Sequence, residues 1–539
     1  MGYSAHVDTF ARDNLPPKSE WPELIFTLPE LQFPERLNCA TELLDQMAAR
    51  HPQRLCVRAA GLSWTYGELL EKANRIARVL VEDLGLLPGN RVLLRAPNNL
   101  MLVAAWFAVM KAGGIAVTTM PLLRAKELTD VITKAQVSHA LCDGRLREEL
   151  ELALPGCPTL EQVLYWGEGG NLEERMAAKP PSFQNLETAS DDTCLIAFTS
   201  GTTGKPKGCM HFHRDVLAIC DTFGKYVLRA SPDDVFIGSP PLAFTFGLGA
   251  LVLFPMRIGA STVLLEKASP DLLLPTIAEY KASVLATSPT AYRAMAAQAG
   301  NHDLSSLRKC VSAGEPLPAS TRMRWKEATG IELIDGIGAT EMLHIFISHI
   351  EAEAKPGATG KPVPGYQACI LDDDGQPLPP GQIGRLAVKG PTGCRYLSDD
   401  RQRKYVQHGW NVTGDAYLLD EEGYFVYQAR TDDMIVSSGY NIAGPEVEDA
   451  LLLHPDVAEC AVVGVPDPER GQIVKAYVVL RPGVVGSAEL VRALQDFVKQ
   501  KIAPYKYPRA IEFRESLPRT QTGKLQRFVL RQEAQGVGR

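Results

Sequence analysis

The sequence predicts an α/β protein: a large N-terminal α/β body, followed by a small α+β C-terminal domain. Three observations predict it. Strand-like and helix-like segments alternate through most of the chain. Four short apolar runs each end in a loop rich in Gly, Ser or Thr. After about residue 430 the texture changes to long strands with a single long helix.

Taken in order, residues 68–80 have the apolar spacing of an amphipathic helix, and residues 91–96 read as a strand. Residues 100–110 read as a buried helix, too short to span a bilayer and ended by Lys111; residues 113–118 form the next strand. Such alternation points to a sheet with helices on both faces. The four apolar runs are 194–199 before Ser200, 283–286 before Thr287, 309–312 before Gly314, and 331–334 before Asp335-Gly336. Ligands of open α/β sheets bind at the carboxyl ends of the strands, so four ligand loops converge if these runs share one parallel sheet. Beyond residue 430, strands at 457–465, 475–480 and 510–513 and a helix at 489–502 outline a separate unit of about 100 residues. The polar run Arg430-Thr431-Asp432-Asp433 marks the boundary, so the two domains are taken as 1–431 and 432–539.

The chain has 539 residues, about three or four domain-sized units on length alone. Acidic residues number 63 and basic ones 56, a net charge of −7, which argues against general nucleic-acid binding. A local basic pocket for a phosphorylated small molecule is still compatible with it. The 11 cysteines include no Cys-x-x-Cys pair, as expected of reduced thiols in a cytoplasmic protein. Residues 1–14 contain Asp8 and Asp13 and no apolar core, unlike a secretory signal. Residues 235–256 carry no charge, yet Pro240, Pro241, Pro255, Gly247 and Gly249 would break a lipid-exposed helix. This run is expected to be a buried core or pocket segment, and no membrane partner is expected.

The strongest chemical signal is Thr199-Ser200-Gly201-Thr202-Thr203-Gly204-Lys205-Pro206-Lys207. Glycines let successive backbone N–H groups curl around an anion; hydroxyls donate to phosphate oxygens, and Lys205 and Lys207 supply charge. It is not a Walker loop, because the spacing fails and Pro206 suits no following helix. Glu341 is a hard oxygen ligand suited to Mg²⁺. Gly336 and Gly338 would allow a flat ring to approach the backbone. Asp415 can accept hydrogen bonds from two ribose hydroxyls. His211-x-His213 is not read as a metal pair, because no carboxylate or cysteine clusters with it.

In order along the chain, these motifs resemble those of the adenylate-forming enzymes, the superfamily of acyl-CoA synthetases, peptide-synthetase adenylation domains and beetle luciferases. The hydroxyl- and lysine-rich loop resembles their phosphate loop. Asp335-Gly336-Ile337-Gly338-Ala339-Thr340-Glu341 resembles their adenine and metal motif, and Thr413-Gly414-Asp415 their ribose motif. Arg430 with Asp432 resembles the ribose and hinge pair, and Ser437-Ser438-Gly439-Tyr440 opens the second domain. Pro518-Arg519-Thr520-Gln521-Thr522-Gly523-Lys524 carries the family lysine. The resemblance implies an adenylate-forming domain of several α/β subdomains with a small mobile C-terminal domain. It implies ATP, Mg²⁺ and coenzyme A, with Thr202 and Glu341 on the metal and Lys524 and Glu341 catalytic. Nucleotide or CoA contacts then fall to 199–205, Lys207, Gly314, Glu315, Pro316, Asp335, Gly336, Thr340, Asp415, Arg430, Ser438, Gly439 and Tyr440, with Asp432 as the hinge.

Residues 335–346 and Gly360-Lys361-Pro362-Val363-Pro364-Gly365-Tyr366 look very like benzoate-CoA ligases and their 2-aminobenzoate (anthranilate) relatives. Where benzoate ligases usually have Phe-Ala-Tyr-Gly-Leu-Gly, this chain has Phe244-Thr245-Phe246-Gly247-Leu248-Gly249, closer to the anthranilate enzymes. The expected acyl pocket is Ala243, Phe244, Thr245, Phe246, Gly247, Ile337, Gly338 and His344. Phe244 and Phe246 would wall a planar ring, and Thr245 or His344 would meet an ortho amino or hydroxyl group. The expected reaction joins 2-aminobenzoate to CoA through an aryl adenylate. Alternatives are a benzoate- or 2-hydroxybenzoate-CoA ligase, or an enzyme loading a carrier protein. A luciferase-like oxidation and nucleotide binding without catalysis are further rivals.

Overall fold

The computed structural model describes residues 2–199, 206–437, 440–502, 504–519 and 525–534, with backbone only at Asp432, Tyr440 and Asn441. Two predominantly parallel sheets carry the N-terminal body. One has nine strands, in the order Lys361–Pro362, Ile345–Ser348, Leu333–Gly338, Lys309–Ser312, Val284–Thr287, Val235–Gly238, Ser261–Val263, Leu55–Ala59, Leu62–Thr65. Its six middle strands, from Leu333–Gly338 to Leu55–Ala59, run parallel. The other has six strands, in the order Gln162–Trp166, His139–Asp143, Arg91–Arg95, Ile115–Thr119, Thr193–Thr199, Lys207–Phe212, and only the last pair is antiparallel.

Strands such as Arg91–Arg95, Val284–Thr287 and Lys309–Ser312 are buried at every position, as expected where helices cover both faces. The predicted amphipathic helix is Tyr66–Arg78, opened by a Thr65–Glu68 capping box and continued by a π-helical turn to Asp83. The predicted buried helix is Leu100–Lys111, capped by the Asn99 side chain on Leu102 N–H. Lys111 ends it from inside the core: the ammonium is fully buried and pairs with Asp45 at 2.5 Å. Burial lowers the Lys111 pKa and Asp45 opposes that shift.

The expectation that four ligand loops share one sheet needs correction. Three of the runs do lie side by side in the nine-stranded sheet, but 194–199 belongs to the six-stranded sheet. Nor do Asp335 and Gly336 form a loop, because the strand continues to Gly338 and pairs antiparallel with Ile345–Ser348. The uncharged run 235–256 becomes the strand Val235–Gly238 and a bent helical stretch from Thr245 through Ile258, almost entirely buried. Among the described residues, no helix is long and apolar enough to cross a membrane.

A five-stranded antiparallel sheet completes the body, with Trp410–Leu419 paired to Phe425–Arg430 along one side. The C-terminal unit has a three-stranded sheet, Val457–Asp467, Gly471–Leu480 and Ala510–Phe513, flanked by the helices Gly444–Leu452 and Ala488–Lys501. The described cysteines, which are all eleven, are free thiols.

One fully buried ion pair ties the helix His213–Ile219, which follows the hairpin Thr193–Thr199/Lys207–Phe212, to the segment before Tyr396. The Arg395 guanidinium donates to Asp215 Oδ2, lies over the Phe212 ring at 3.9 Å, and both partners have no exposed side-chain surface. Arg395→Leu strands the Asp215 carboxylate, and the expected loss is about 3–5 kcal/mol of unfolding free energy. Urea unfolding followed by fluorescence measures it, and a loss under 1 kcal/mol would contradict this account.

Candidate active site

The hairpin Thr193–Thr199/Lys207–Phe212 presents the phosphate-loop sequence at its tip. Thr199 and Lys207 are opposite each other in the last register pair, and Ser200–Lys205 lie outside the described residues. A strand follows the loop, which is why Pro206 is tolerated there.

Lys207 Nζ donates to Glu341 Oε1 at 3.1 Å and to the Tyr396 hydroxyl at 2.7 Å. The Tyr396 hydroxyl donates to the same carboxylate oxygen, and the ammonium stands 4.8 Å from the Tyr396 ring centroid. Glu341 is thus held from two sides in a nearly closed environment, with side-chain exposure of 9%. It lies in the short turn Thr340–Met342, which joins Leu333–Gly338 to Ile345–Ser348. His211 Nε2 meets Thr340 O at 2.8 Å, and Thr392 Oγ1 donates to Met342 O at 2.8 Å. Leu343 closes the turn at φ +67°, a left-handed conformation costly for a branched residue. A free carboxylate oxygen in this setting fits Mg²⁺, and Glu341 with Thr202 would hold it. Bound there, the ion would neutralise phosphate charge.

Gly336 and Gly338 have a packing reason besides the one expected. A Cβ at Gly336 would stand 2.7 Å from Ile345 Cγ2, and one at Gly338 would stand 2.8 Å from the His344 carbonyl oxygen. Both glycines admit the neighbouring chain segment 344–345. Asp335 is buried, its carboxyl pushed up to about 7 by burial while Arg322 pulls it down. Its backbone N–H donates to His349 Nε2 at 3.2 Å. On the next strand end, Gly314 takes φ +91°, and Glu315 accepts from Thr290 Oγ1 at 2.7 Å; Pro316 follows.

Asp415 and Arg430 sit directly opposite on adjacent strands, with Arg430 Nη1 donating to Asp415 Oδ1 at 2.9 Å. The guanidinium lies over Gly414, where a Cβ would come within 2.4 Å of it. The Asp432 backbone lies in the turn Thr431–Asp433, and Arg531 donates to Asp433 Oδ1. Ser438, Gly439 and Lys524 fall outside the described residues, as does the Tyr440 side chain. Arg519 and Leu525 form an antiparallel bridge that brackets the Lys524 segment. Arg519 bonds Glu459 at 2.7 Å, and Arg293 of the N-terminal body approaches the same carboxylate at 3.5 Å.

Phe246 and His344 line one apolar pocket together with Phe223, Leu228, Phe236, Ala250, Phe254, Val284, Ala286 and Val311. Ala243, Phe244, Thr245, Gly247, Ile337 and Gly338 are not among its lining residues. Thr245 instead opens the helix Thr245–Leu248 and is buried there. Gly247 packs on Pro241, whose carbonyl would be 2.1 Å from a Cβ. Gly249 makes room for His344, whose Cδ2 would be 2.4 Å from a Cβ. The His344 ring has Phe254 edge-on at 4.6 Å, Phe223 at 5.3 Å and Phe246 at 5.7 Å. Both its nitrogens are buried, and only the Phe246 backbone comes near enough to bond one of them. Burial pushes its pKa down to about 3, with the Phe246 backbone pulling weakly the other way. The free space in the pocket is only about 10 Å³, too little for an aromatic ring without side-chain movement. Phe223 and Leu228 come from the π-helical stretch Cys220–Leu228, which carries no local sequence signal for a pocket.

One ground for setting aside a metal at His211-x-His213, the want of a clustered cysteine, is contradicted by the fold. Folding brings Cys39 and Cys194 to His213, with Sγ, Sγ and Nδ1 all within 4.8 Å of one another. Asp215 stands 3.8 Å from His211.

Comparison with known proteins identifies the family. Residues 44–396 match the AMP-binding enzyme family and residues 446–524 the AMP-binding enzyme C-terminal domain. A benzoate–CoA ligase of Thauera aromatica is 36% identical over 519 residues, covering 94% of this chain and 98% of that one. The crystal structure of the anthranilate CoA ligase AuaEII with anthranoyl-AMP superposes with a TM-score of 0.90 at 34% identity, covering 94% and 99% of the two chains. A benzoate CoA ligase from Burkholderia xenovorans LB400 gives 0.84 at 33% identity, with 92% and 100% covered. With a family model matching residues 44–396 and relatives of over 30% identity along nearly the whole chain, the chain belongs to the adenylate-forming AMP-binding enzymes and is an ATP-dependent acid–CoA ligase.

Proposed function

We propose that the acid is an ortho-substituted benzoate, with 2-aminobenzoate preferred. The observation that carries this reading is His344, a neutral imidazole buried in an aromatic cage with at least one nitrogen left unpartnered. An orphaned buried polar group is costly, and a substrate substituent that bonds it recovers that cost. The resemblance to an anthranilate CoA ligase and to two benzoate ligases supports the same class.

In the first half-reaction a carboxylate oxygen attacks the α-phosphorus of ATP. The bond to the bridging oxygen breaks, and pyrophosphate leaves with its electron pair. In the second, the CoA sulfur attacks the acyl carbon, its proton is lost to solvent, and AMP departs. Positioning and charge neutralisation govern the first step. Residues 199–207 hold the β- and γ-phosphates, and Asp415 with Arg430 holds the ribose. Lys524 stabilises charge between the carboxylate and the α-phosphate. The second domain then turns about Asp432, withdrawing Lys524 and bringing 437–440 to the CoA path.

The test compares kcat/KM for 2-aminobenzoate and benzoate. The wild type is expected to favour 2-aminobenzoate by about tenfold, the worth of one net hydrogen bond. His344→Phe collapses the preference to about twofold or less, and Thr245→Ala leaves it nearly intact. Because His344 stays neutral well below pH 5, the preference is flat between pH 5 and 8. Equal values for the two acids in the wild type overturn ortho selectivity. A faster reaction with a carrier-protein thiol than with free CoA would favour the carrier-loading alternative.

A further inference from the structure

A second cavity of about 260 Å³ lies behind the aryl pocket, and Leu228 and Phe254 line both. We infer that this outer cavity is a blocked extension of the acyl site, and that Phe254 and Leu228 set the length of acid accepted. The inference rests on the aryl-acid reading above.

Phe254 is placed as a partition. Its ring meets His344 edge-on at 4.6 Å and Phe223 at 5.7 Å on the pocket side. Towards the outer cavity it packs on Gly224, where a Cβ would stand 3.4 Å from Phe254 Cδ1. Both walls come from π-helical stretches or their ends, Cys220–Leu228 and Gly249–Leu253, the latter running straight into Phe254. Such wide turns occur where a helix is shaped around a site.

The pocket extends from near the strand ends, at Ala286 and Val311, to a deeper floor. The lining residues Phe236 and Val284 are register partners on adjacent parallel strands. They lie two and three residues before the strand ends at Gly238 and Thr287. At about 3.3 Å per residue, the floor is roughly 7–10 Å below the edge where the nucleotide loops emerge. An acid whose carboxylate faces that edge points the opposite end of its ring at the floor and its Leu228–Phe254 wall.

The outer cavity changes character with distance. Beyond the two apolar walls stand Asp221 and Arg257, bonded at 2.9 and 3.0 Å, and Lys225. The ligand class that fits is a benzoate lengthened opposite its carboxylate by a short apolar linker ending in an oxygen acceptor. With the partition intact, single-ring acids are favoured; with it removed, the linker has somewhere to go.

The experiment measures thioester formation from benzoate and 4-(3-hydroxypropoxy)benzoate by wild type, Phe254→Ala, Phe254→Leu and Leu228→Ala. The wild type is expected to favour benzoate by at least a hundredfold in kcat/KM. Phe254→Ala narrows that ratio at least tenfold, through a gain with the longer acid, and Leu228→Ala narrows it less. Phe254→Leu preserves more of the core and is expected to narrow it in the same direction. A ratio unmoved in the variants that fold, while the wild type still makes aryl thioesters, overturns the partition alone. A wild type that makes no aryl thioester overturns the aryl reading and the partition with it.

Discussion

Glu341→Gln is expected to slow pyrophosphate release by about 10²–10³-fold, the scale seen when one group that stabilises transition-state charge is removed. Glutamine keeps the shape and can still accept from the Tyr396 hydroxyl. It loses the anion that faces Lys207 Nζ at 3.1 Å in a site with little solvent. It also removes the hard ligand suited to Mg²⁺. Two readouts separate these effects. If the metal ligand matters most, the Mg²⁺ concentration for half-maximal pyrophosphate release rises with the loss. If only the anchoring of Lys207 matters, that concentration is unchanged. Tyr396→Phe keeps the charge and removes one hydrogen bond to it, so a milder loss of about tenfold is expected. An unaltered rate in Glu341→Gln would remove this carboxylate from the mechanism.

Lys524→Ala is expected to abolish adenylation to a comparable extent, about 10²–10³-fold, while supplied aryl adenylate is still converted to the thioester. The reasoning is electrostatic: an ammonium between the carboxylate and the α-phosphate acts only while charge is redistributed there. The second half-reaction places its charge elsewhere. Asp432→Pro is the complementary variant, because fixing φ in the turn Thr431–Asp433 should slow thioester formation more than adenylation. Pyrophosphate release and thioester formation from synthetic adenylate, measured separately for each variant, give the comparison. Equal loss of both half-reactions in Lys524→Ala would refute the division of labour.

How much of the site is readable along the chain depends on how local its cause is. The hairpin that offers the phosphate loop follows from an apolar strand, a glycine-rich turn and a second strand in succession. Asp415 and Arg430 belong to two adjacent strands, and their pairing follows from one short antiparallel connection. The glycines at 336 and 338 show the limit of this reading. The residue type is visible in sequence, but the reason for it, the close passage of the strand Ile345–Ser348, is not. The aryl pocket shows it again. The apolar stretch 235–256 is evident as a buried wall, yet Phe246 faces the pocket and Phe244 does not line it.

The sequence by itself determined the alternation of strands and helices, the separate texture of the C-terminal unit, and the residue types that can bind phosphate, ribose and metal. Each of these arises from spacing within a few turns or strands, where period and turn chemistry act directly. Only the tertiary structure decided which strands share a sheet, so that 194–199 stands apart from the other three loop-bearing strands. It alone joined Lys207 to Glu341 across 134 residues and Tyr396 to Glu341 across 55. It alone set His344 among Phe223, Phe246 and Phe254. Contacts between distant segments are chosen by packing the whole core at once, and no local period encodes them.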